Sequence, residues 1–212
     1  MAHFPSFAFL SVVLIAGAYL LGSLSGARVL RSLTARSGSV AATSIEPGIE
    51  GRRFIAARTA FDLIKAILAV WLALRFAPVG EALSVTAHGY LAAFAVLGGH
   101  VWPVWHRFRG GGGTVALTGA LLVLWPVGAV TWLIASLLVW LRSAHAGLSA
   151  VLGAVCLPLL VWWVGGESPR LWFAVAAPLL LALGHRHSLS RMWSGTEPRF
   201  ARARRLYRWR RK

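Results

Sequence analysis

The sequence predicts an all-α fold, namely a polytopic membrane bundle of seven transmembrane helices. Hydrophobic residues make up 58% of the 212 residues, and the chain is almost continuously apolar between its charged patches. The 22 Lys and Arg residues outnumber the 6 Asp and Glu residues, an excess that is typical of a cytoplasmic membrane face with anionic lipids. The apolar content argues against nucleic-acid binding. Membrane lipids are therefore expected partners, and nucleic acid is not.

The predicted spans follow from the apolar runs and the breaks between them. The central run is divided at Trp125-Pro126, because a proline interrupts the hydrogen bonds of a helix. No cationic segment precedes residues 7–22, so the first run is predicted to be an uncleaved span rather than a signal peptide. The spans lie near 6–25, 54–75, 83–104, 114–126, 127–141, 147–165 and 170–186.

Charge decides the number of spans and their orientation. Seven spans with the N-terminus outside place the cationic clusters at 28–53, 107–109, 142 and 187–212 on the inside. Six spans would move Arg142 and the basic C-terminal tail to the outside. We therefore expect a cytoplasmic C-terminus, a single membrane domain over 1–198, and a basic tail over 199–212 that lies against anionic headgroups.

Three polar segments fall on the same predicted face. Residues 36–44 are rich in Ser, Gly and Thr, residues 99–113 end in Arg109 and four glycines, and residues 185–198 begin with His185. Glycine backbone can approach a phosphate closely, and a helix that begins at Thr114 adds its N-terminal dipole. Alone, a Ser/Gly/Thr segment is more often just a turn, and His185 at a helix end is equally well explained as a helix cap. Together they predict one site for a small phosphorylated molecule at the bilayer surface.

The sequence contains few other residue patterns that are typical of catalytic or ligand-binding sites. Asp62 and Lys65 are three residues apart and share a helix face, as either a functional intramembrane pair or a structural one. Asp62 is the only aspartate, and no histidine lies five residues before it, so the H-x-x-x-x-D pattern of soluble-donor acyltransferases is absent. A P-loop lysine and a Cys/His zinc pattern are also absent. No metal or cofactor is expected.

Four motifs, in order, resemble those of one bacterial family, the acyl-phosphate-dependent glycerol-3-phosphate acyltransferases of the PlsY type. Residues 99–113 resemble G-H-x-F-P-x-F-x-x-F-[KR]-G-G-K-G, and residues 185–197 resemble H-R-x-N-I-x-R-L-x-x-G-x-E. Residues 37–44 resemble S-G-N-x-G-A-T-N in part, and residues 62–65 resemble D-x-x-K. The resemblance covers most of the chain and implies the seven-span, N-out topology.

The resemblance also implies an activity and a set of site residues. The family transfers a fatty acyl group from acyl phosphate to the 1-hydroxyl of glycerol 3-phosphate, giving lysophosphatidic acid in the bacterial inner membrane without a cofactor. Ser37 and His185 are the expected catalytic residues. The expected substrate- and phosphate-binding residues are Gly38, Ser39, Thr43, His100, Arg109, Gly110, Gly111, Gly112, Gly113, Arg186, Ser188 and Glu197.

Several positions depart from the family patterns. Gly112 stands where the family has a lysine, and Ser39, Ser44 and Ser188 stand where it has asparagines. Pro47 replaces an arginine. Each exchange removes a group that could orient a polar substrate. Two alternatives to the family reaction therefore stay open, a homologue that binds lipid without catalysis or uses another acceptor, and an unrelated small transporter built on Asp62 and Lys65.

Overall fold

The computed structural model describes residues 4–36, 51–78 and 83–197, and within these ranges the chain is helical with no strand. The predicted site residues Ser37, Gly38, Ser39 and Thr43, and the basic tail, lie outside the described residues. The helices are α1 (Phe4–Ser23), α2 (Gly26–Arg36), α3 (Arg52–Phe76), α4 (Val85–Val101), α5 (Thr114–Leu124), α6 (Pro126–Ser143), α7 (Ala146–Ala154), α8 (Cys156–Val164), α9 (Ser168–Gly184) and α10 (Arg186–Trp193).

The helices match the predicted apolar runs, with two additions. The break at Trp125 is where α5 gives way to α6, and Pro126 takes the first helical position, where no backbone N–H is needed. The run predicted over 147–165 is divided at Val155 into α7 and α8. The apolar runs did not predict α2 and α10, because both helices are amphipathic and carry two or three arginines rather than a continuous apolar run.

Length and composition alone identify fewer spans than the sequence analysis predicted. Among the described residues, Pro126–Ser143 and the run Ala146–Val164 are each long and apolar enough to cross a bilayer. A third candidate combines Phe9–Ser23 with Gly26–Leu33, which meet at an angle of 60°. The remaining apolar helices are shorter or carry more charge.

Contacts between helices show which ends lie together. Ser11 bonds His88 at 2.9 Å near the start of α1 and α4, and Gly22 packs on Val96 near their ends, so the two helices run parallel. In α9, Phe173 packs against Tyr90 with ring centroids 5.4 Å apart, which makes α9 parallel to α4 as well. By contrast, α3 runs antiparallel to α4. The C-termini of α1, α4 and α9 and the N-terminus of α3 therefore share one end of the bundle, which we call the polar end.

Small residues allow α4 to lie at the centre of the bundle. A Cβ added at Gly22 would overlap the backbone of Val96, and one added at Gly99 would overlap the carbonyl oxygen of Tyr19. Close backbone approach of this kind is typical of packed membrane helices. It fixes the ends of α1 and α4 against each other, and these ends carry the site described below.

Replacing Gly99 with alanine is expected to destabilise the protein, because the new methyl group would force α1 and α4 apart. Overpacking of this kind costs about 1–3 kcal/mol, which thermal unfolding in detergent should register as a melting temperature several degrees lower. The matched control is Gly17→Ala on α1, where an added Cβ meets no atom within 4 Å. Equal melting temperatures for the two variants would contradict this packing.

Candidate active site

A cavity of about 210 Å³ opens at the polar end of the bundle. It lies between the end of α1, the start of α2, the first half of α3, the end of α4 and the segment 103–111. Cations from three parts of the chain surround it, whereas Asp62 is the one carboxylate on its wall. Its polar lining consists of Ser23, Ser25, Arg28, Arg58, Asp62, Lys65, His100, His106 and Arg109.

An ion pair forms the inner wall of the cavity. The Nζ atom of Lys65 lies 2.6 Å from Oδ1 of Asp62, and both side chains are less than a tenth exposed. Lys65 also donates a hydrogen bond to the carbonyl oxygen of Leu24, just beyond the end of α1. The pair neutralises two charges that would be costly to bury separately. The ammonium group of Lys65 is therefore already bonded to Asp62 and to the backbone. The positive potential of the cavity comes from its arginines.

His100 lies deepest among the histidines that face the cavity. It belongs to the last turn of α4, and its Nδ1 atom lies 3.9 Å from Oδ1 of Asp62. That nitrogen is buried and has no hydrogen-bond partner among the described residues. Buried polar atoms are normally paired, so an unpaired one on a cavity wall indicates a place for a polar ligand. His106, on the short 3₁₀ turn Val104–His106, lines the same cavity.

The glycine segment is folded tightly onto the end of α4. Arg107 and Phe108 both have positive φ angles, of 52° and 58°, which reverse the chain toward the cavity. The amide of Gly111 donates to the carbonyl oxygen of His100 at 3.0 Å, and a Cβ at Gly110 would overlap that same oxygen. Gly110 thus requires glycine for close packing. The amide of Gly111 is already bonded to protein and is not available to a phosphate.

The next glycine contacts a different histidine. A Cβ at Gly112 would overlap the imidazole ring of His185, so no side chain fits there while the ring keeps its position. The Nε2 atom of His185 lies 3.1 Å from Oγ1 of Thr114, at the start of α5. On the other side, a Cβ at Gly147 would lie 3.2 Å from Nδ1 of the ring. His185 therefore sits between the glycine segment and α7.

The environment of His185 favours its neutral form. Burial lowers the pKa of this histidine below its ordinary value, and the charge of Glu197 offsets part of that effect. A neutral ring can accept a proton or a hydrogen bond at neutral pH. His185 is not, however, among the residues that line the cavity.

The last predicted motif forms a turn that closes on α10. Ser188 donates a hydrogen bond to Oε1 of Glu197 at 2.6 Å, and Nε of Arg191 donates to Oε2 at 2.6 Å. The Ser188 bond, followed by the Arg191 bond and charge, lowers the pKa of Glu197, although burial opposes them. Glu197 is thus held as a carboxylate that ties the chain back to α10. Arg186 is exposed at the start of α10 and does not line the cavity.

The structure brings together only part of the predicted site. His100, Arg109, Gly110 and Gly111 line the cavity, whereas the other predicted residues among those described do not. The latter are Gly112, Gly113, His185, Arg186, Ser188 and Glu197.

Two cavity arginines were not predicted as site residues. Arg58 lies one helical turn before Asp62, and this i,i+4 spacing was a signal that could have identified it. Arg28 follows the break between α1 and α2, and no motif in the sequence marks it.

The fold and the basic cavity define the class of protein, an all-helical protein with apolar helices and a cavity lined by cations at one end. A family model for glycerol-3-phosphate acyltransferase matches residues 12–195. A glycerol-3-phosphate acyltransferase of Nitrobacter winogradskyi is 35% identical over 198 residues, covering 89% of this chain and 95% of the relative. One of Bradyrhizobium diazoefficiens is 35% identical over 207 residues, covering 91% and 96%. The chain therefore belongs to the glycerol-3-phosphate acyltransferase family, as its motifs predicted.

Solved structures show the same fold. A crystal structure of PlsY, an integral membrane glycerol 3-phosphate acyltransferase in its lysophosphatidic acid form, superimposes with a TM-score of 0.73 at 23% identity. The match covers 90% of this chain and 95% of that one. The glycerol 3-phosphate form of PlsY gives the same TM-score at 20% identity. This likeness confirms the all-helical prediction for the described residues. Family membership together with the long apolar helices makes the chain a multi-pass membrane protein.

Proposed function

We propose that this protein transfers a fatty acyl group from acyl phosphate to the 1-hydroxyl of glycerol 3-phosphate. The products are lysophosphatidic acid and inorganic phosphate, at an early step of phospholipid biosynthesis. The observation that carries the proposal is the family match over residues 12–195, almost the whole described chain. The arginine-rich cavity at the polar end adds physical support, because both substrates carry a phosphate group.

The chemistry makes modest demands on the protein. Acyl phosphate is a mixed anhydride and is already activated, so no covalent enzyme intermediate or cofactor is needed. The hydroxyl oxygen attacks the carbonyl carbon, the bond from that carbon to the phosphate oxygen breaks, and phosphate leaves with the bonding electrons. The hydroxyl proton passes to a base or to the departing phosphate. The protein must hold two anions close together and stabilise the leaving group.

The described residues can supply these functions at the cavity and behind the glycine segment that closes it. Arg109 and the backbone at Gly110 offer positive charge and close approach to a phosphate. His100 offers a buried, unpaired ring nitrogen on the cavity wall. His185, kept neutral by burial, is our proposed group for orienting the acceptor hydroxyl or accepting its proton. Ser37, Gly38, Ser39 and Thr43 would complete the substrate contacts from the first loop, and the acyl chain would lie between the helices.

We further propose seven membrane passes, with the N-terminus outside and the cavity facing the cytoplasm. The seven proposed passes include α7 and α8 as a single pass. They are α1, α3, α4, α5, α6, α7–α8 and α9. Among the described residues, only Arg75 and Arg170 of the cations lie toward the opposite end of the bundle. Such an asymmetry supports a cytoplasmic position for the polar end.

Purified protein given palmitoyl phosphate and glycerol 3-phosphate is expected to release phosphate and form lysophosphatidic acid. Absence of both products at high enzyme concentration would contradict the proposed function.

The pH profile of the activity tests the role of His185. Because its pKa is lowered, its ring stays neutral as the pH falls to about 6.5, and the part of the activity that depends on it should decline only below that pH.

His185→Asn is the control for this profile, because substrate phosphates also titrate near pH 6. The substrate contribution appears in both proteins, so the difference between the two profiles isolates the histidine. Profiles of identical shape would show that His185 is not the titrating group.

Cysteine labelling tests the topology. After replacement of the native Cys156 by alanine, Arg142→Cys and Glu167→Cys place single thiols at the polar end and at the opposite end. A membrane-impermeant maleimide added to spheroplasts should label the cysteine at 167, and it should label the one at 142 only after lysis. The reverse pattern would refute the proposed orientation.

A further inference from the structure

Gly112 stands where the family motif has a cation, so the loop lacks that charge. The family pattern has lysine at this point of the loop, whereas a side chain here would require the ring of His185 to move. Its Cβ would overlap the ring of His185, which is itself held by Thr114 and confined by Gly147. The loop alone therefore offers Arg109 as its cavity cation, and a phosphate dianion needs more than one positive partner.

Two other cations approach the cavity from the opposite wall. Arg58 lies on α3 one turn before Asp62, and Arg28 lies in the first turn of α2; both line the cavity and both are exposed at its rim. The inner cation, Lys65, is paired with Asp62 and is not a substitute. The rim thus carries two guanidinium groups in addition to the Asp62–Lys65 pair.

The start of α2 packs directly on α3 and brings the two arginines to the same place. A Cβ at Gly26 would lie 3.1 Å from the carbonyl oxygen of Arg58 and 3.3 Å from Oδ1 of Asp62. This close contact fixes the first turn of α2 beside Arg58, with the positive end of the helix dipole directed at the cavity. Ser25, Ala27 and Arg28 of this turn all line the cavity.

We propose that Arg58 and Arg28 bind the phosphate group of a substrate and replace the charge of the missing loop lysine. Arginine suits this role, because its planar guanidinium can donate two parallel hydrogen bonds to one phosphate. The phosphate belongs either to glycerol 3-phosphate or to acyl phosphate, which present the same charged oxygens. The inference rests on the proposed function for the identity of these substrates. It differs from that function in assigning the binding charge to α2 and α3.

Kinetics of Arg58→Gln and Arg28→Gln test the proposal. Loss of a charge-assisted pair of hydrogen bonds should raise KM for one substrate roughly ten-fold, with a smaller change in kcat. A rise confined to glycerol 3-phosphate assigns the arginines to the acceptor, and a rise confined to palmitoyl phosphate assigns them to the donor. Arg58→Lys should recover part of the loss. Arg142→Gln, which removes an exposed arginine outside the cavity, should leave both KM values unchanged.

Titration calorimetry with glycerol 3-phosphate or inorganic phosphate separates this inference from the proposed function. Phosphate binding that Arg58→Gln weakens, in a protein without turnover, would support the arginine site and refute the acyl transfer. Turnover with both KM values unchanged in variants that melt like the wild type would overturn the arginine site and leave the function standing. A wild-type protein with neither turnover nor phosphate binding would overturn both.

Discussion

The ion pair between Lys65 and Asp62 is the interaction on which the polar end depends. Lys65 reaches from α3 to the carbonyl oxygen of Leu24, so it joins the second long helix to the end of the first. Removing one partner would leave an uncompensated buried charge, at a cost of about 3–5 kcal/mol. The pair also fixes where α1 stops and α2 turns away, and Gly26 then packs against α3. The position of the cavity follows from this junction.

The glycine segment closes the same cavity from the other side. Its four glycines do not form a free phosphate loop, since Gly110 and Gly111 pack on His100 while Gly112 packs on His185. Adjacent residues thus set the positions of two histidines, one on the cavity wall and one behind the loop. At Gly110 the absence of a side chain is a packing requirement, because a Cβ there would overlap backbone oxygens. The arginines that we propose as phosphate partners lie on neighbouring helices.

Much of the fold could be predicted from the sequence, because apolar periodicity and proline breaks are local signals. The division at Trp125-Pro126 is such a case. Less of the site could be predicted from the sequence. Motif order identified His100 and Arg109, but Arg58 and Arg28 face the cavity only because α2 bends back onto α3. The contact between Gly112 and His185 joins residues far apart in the chain, and no spacing rule predicts it.

The central claim is that substrate phosphate binds in the cavity between α2, α3 and the glycine segment. A crystal structure of this protein with glycerol 3-phosphate in a lipid phase tests it most directly. The account predicts phosphate oxygens within hydrogen-bond distance of the guanidinium groups of Arg58 or Arg28, and of Arg109. A phosphate held instead beside His185 and Ser188, with these arginines directed away from it, would contradict the account.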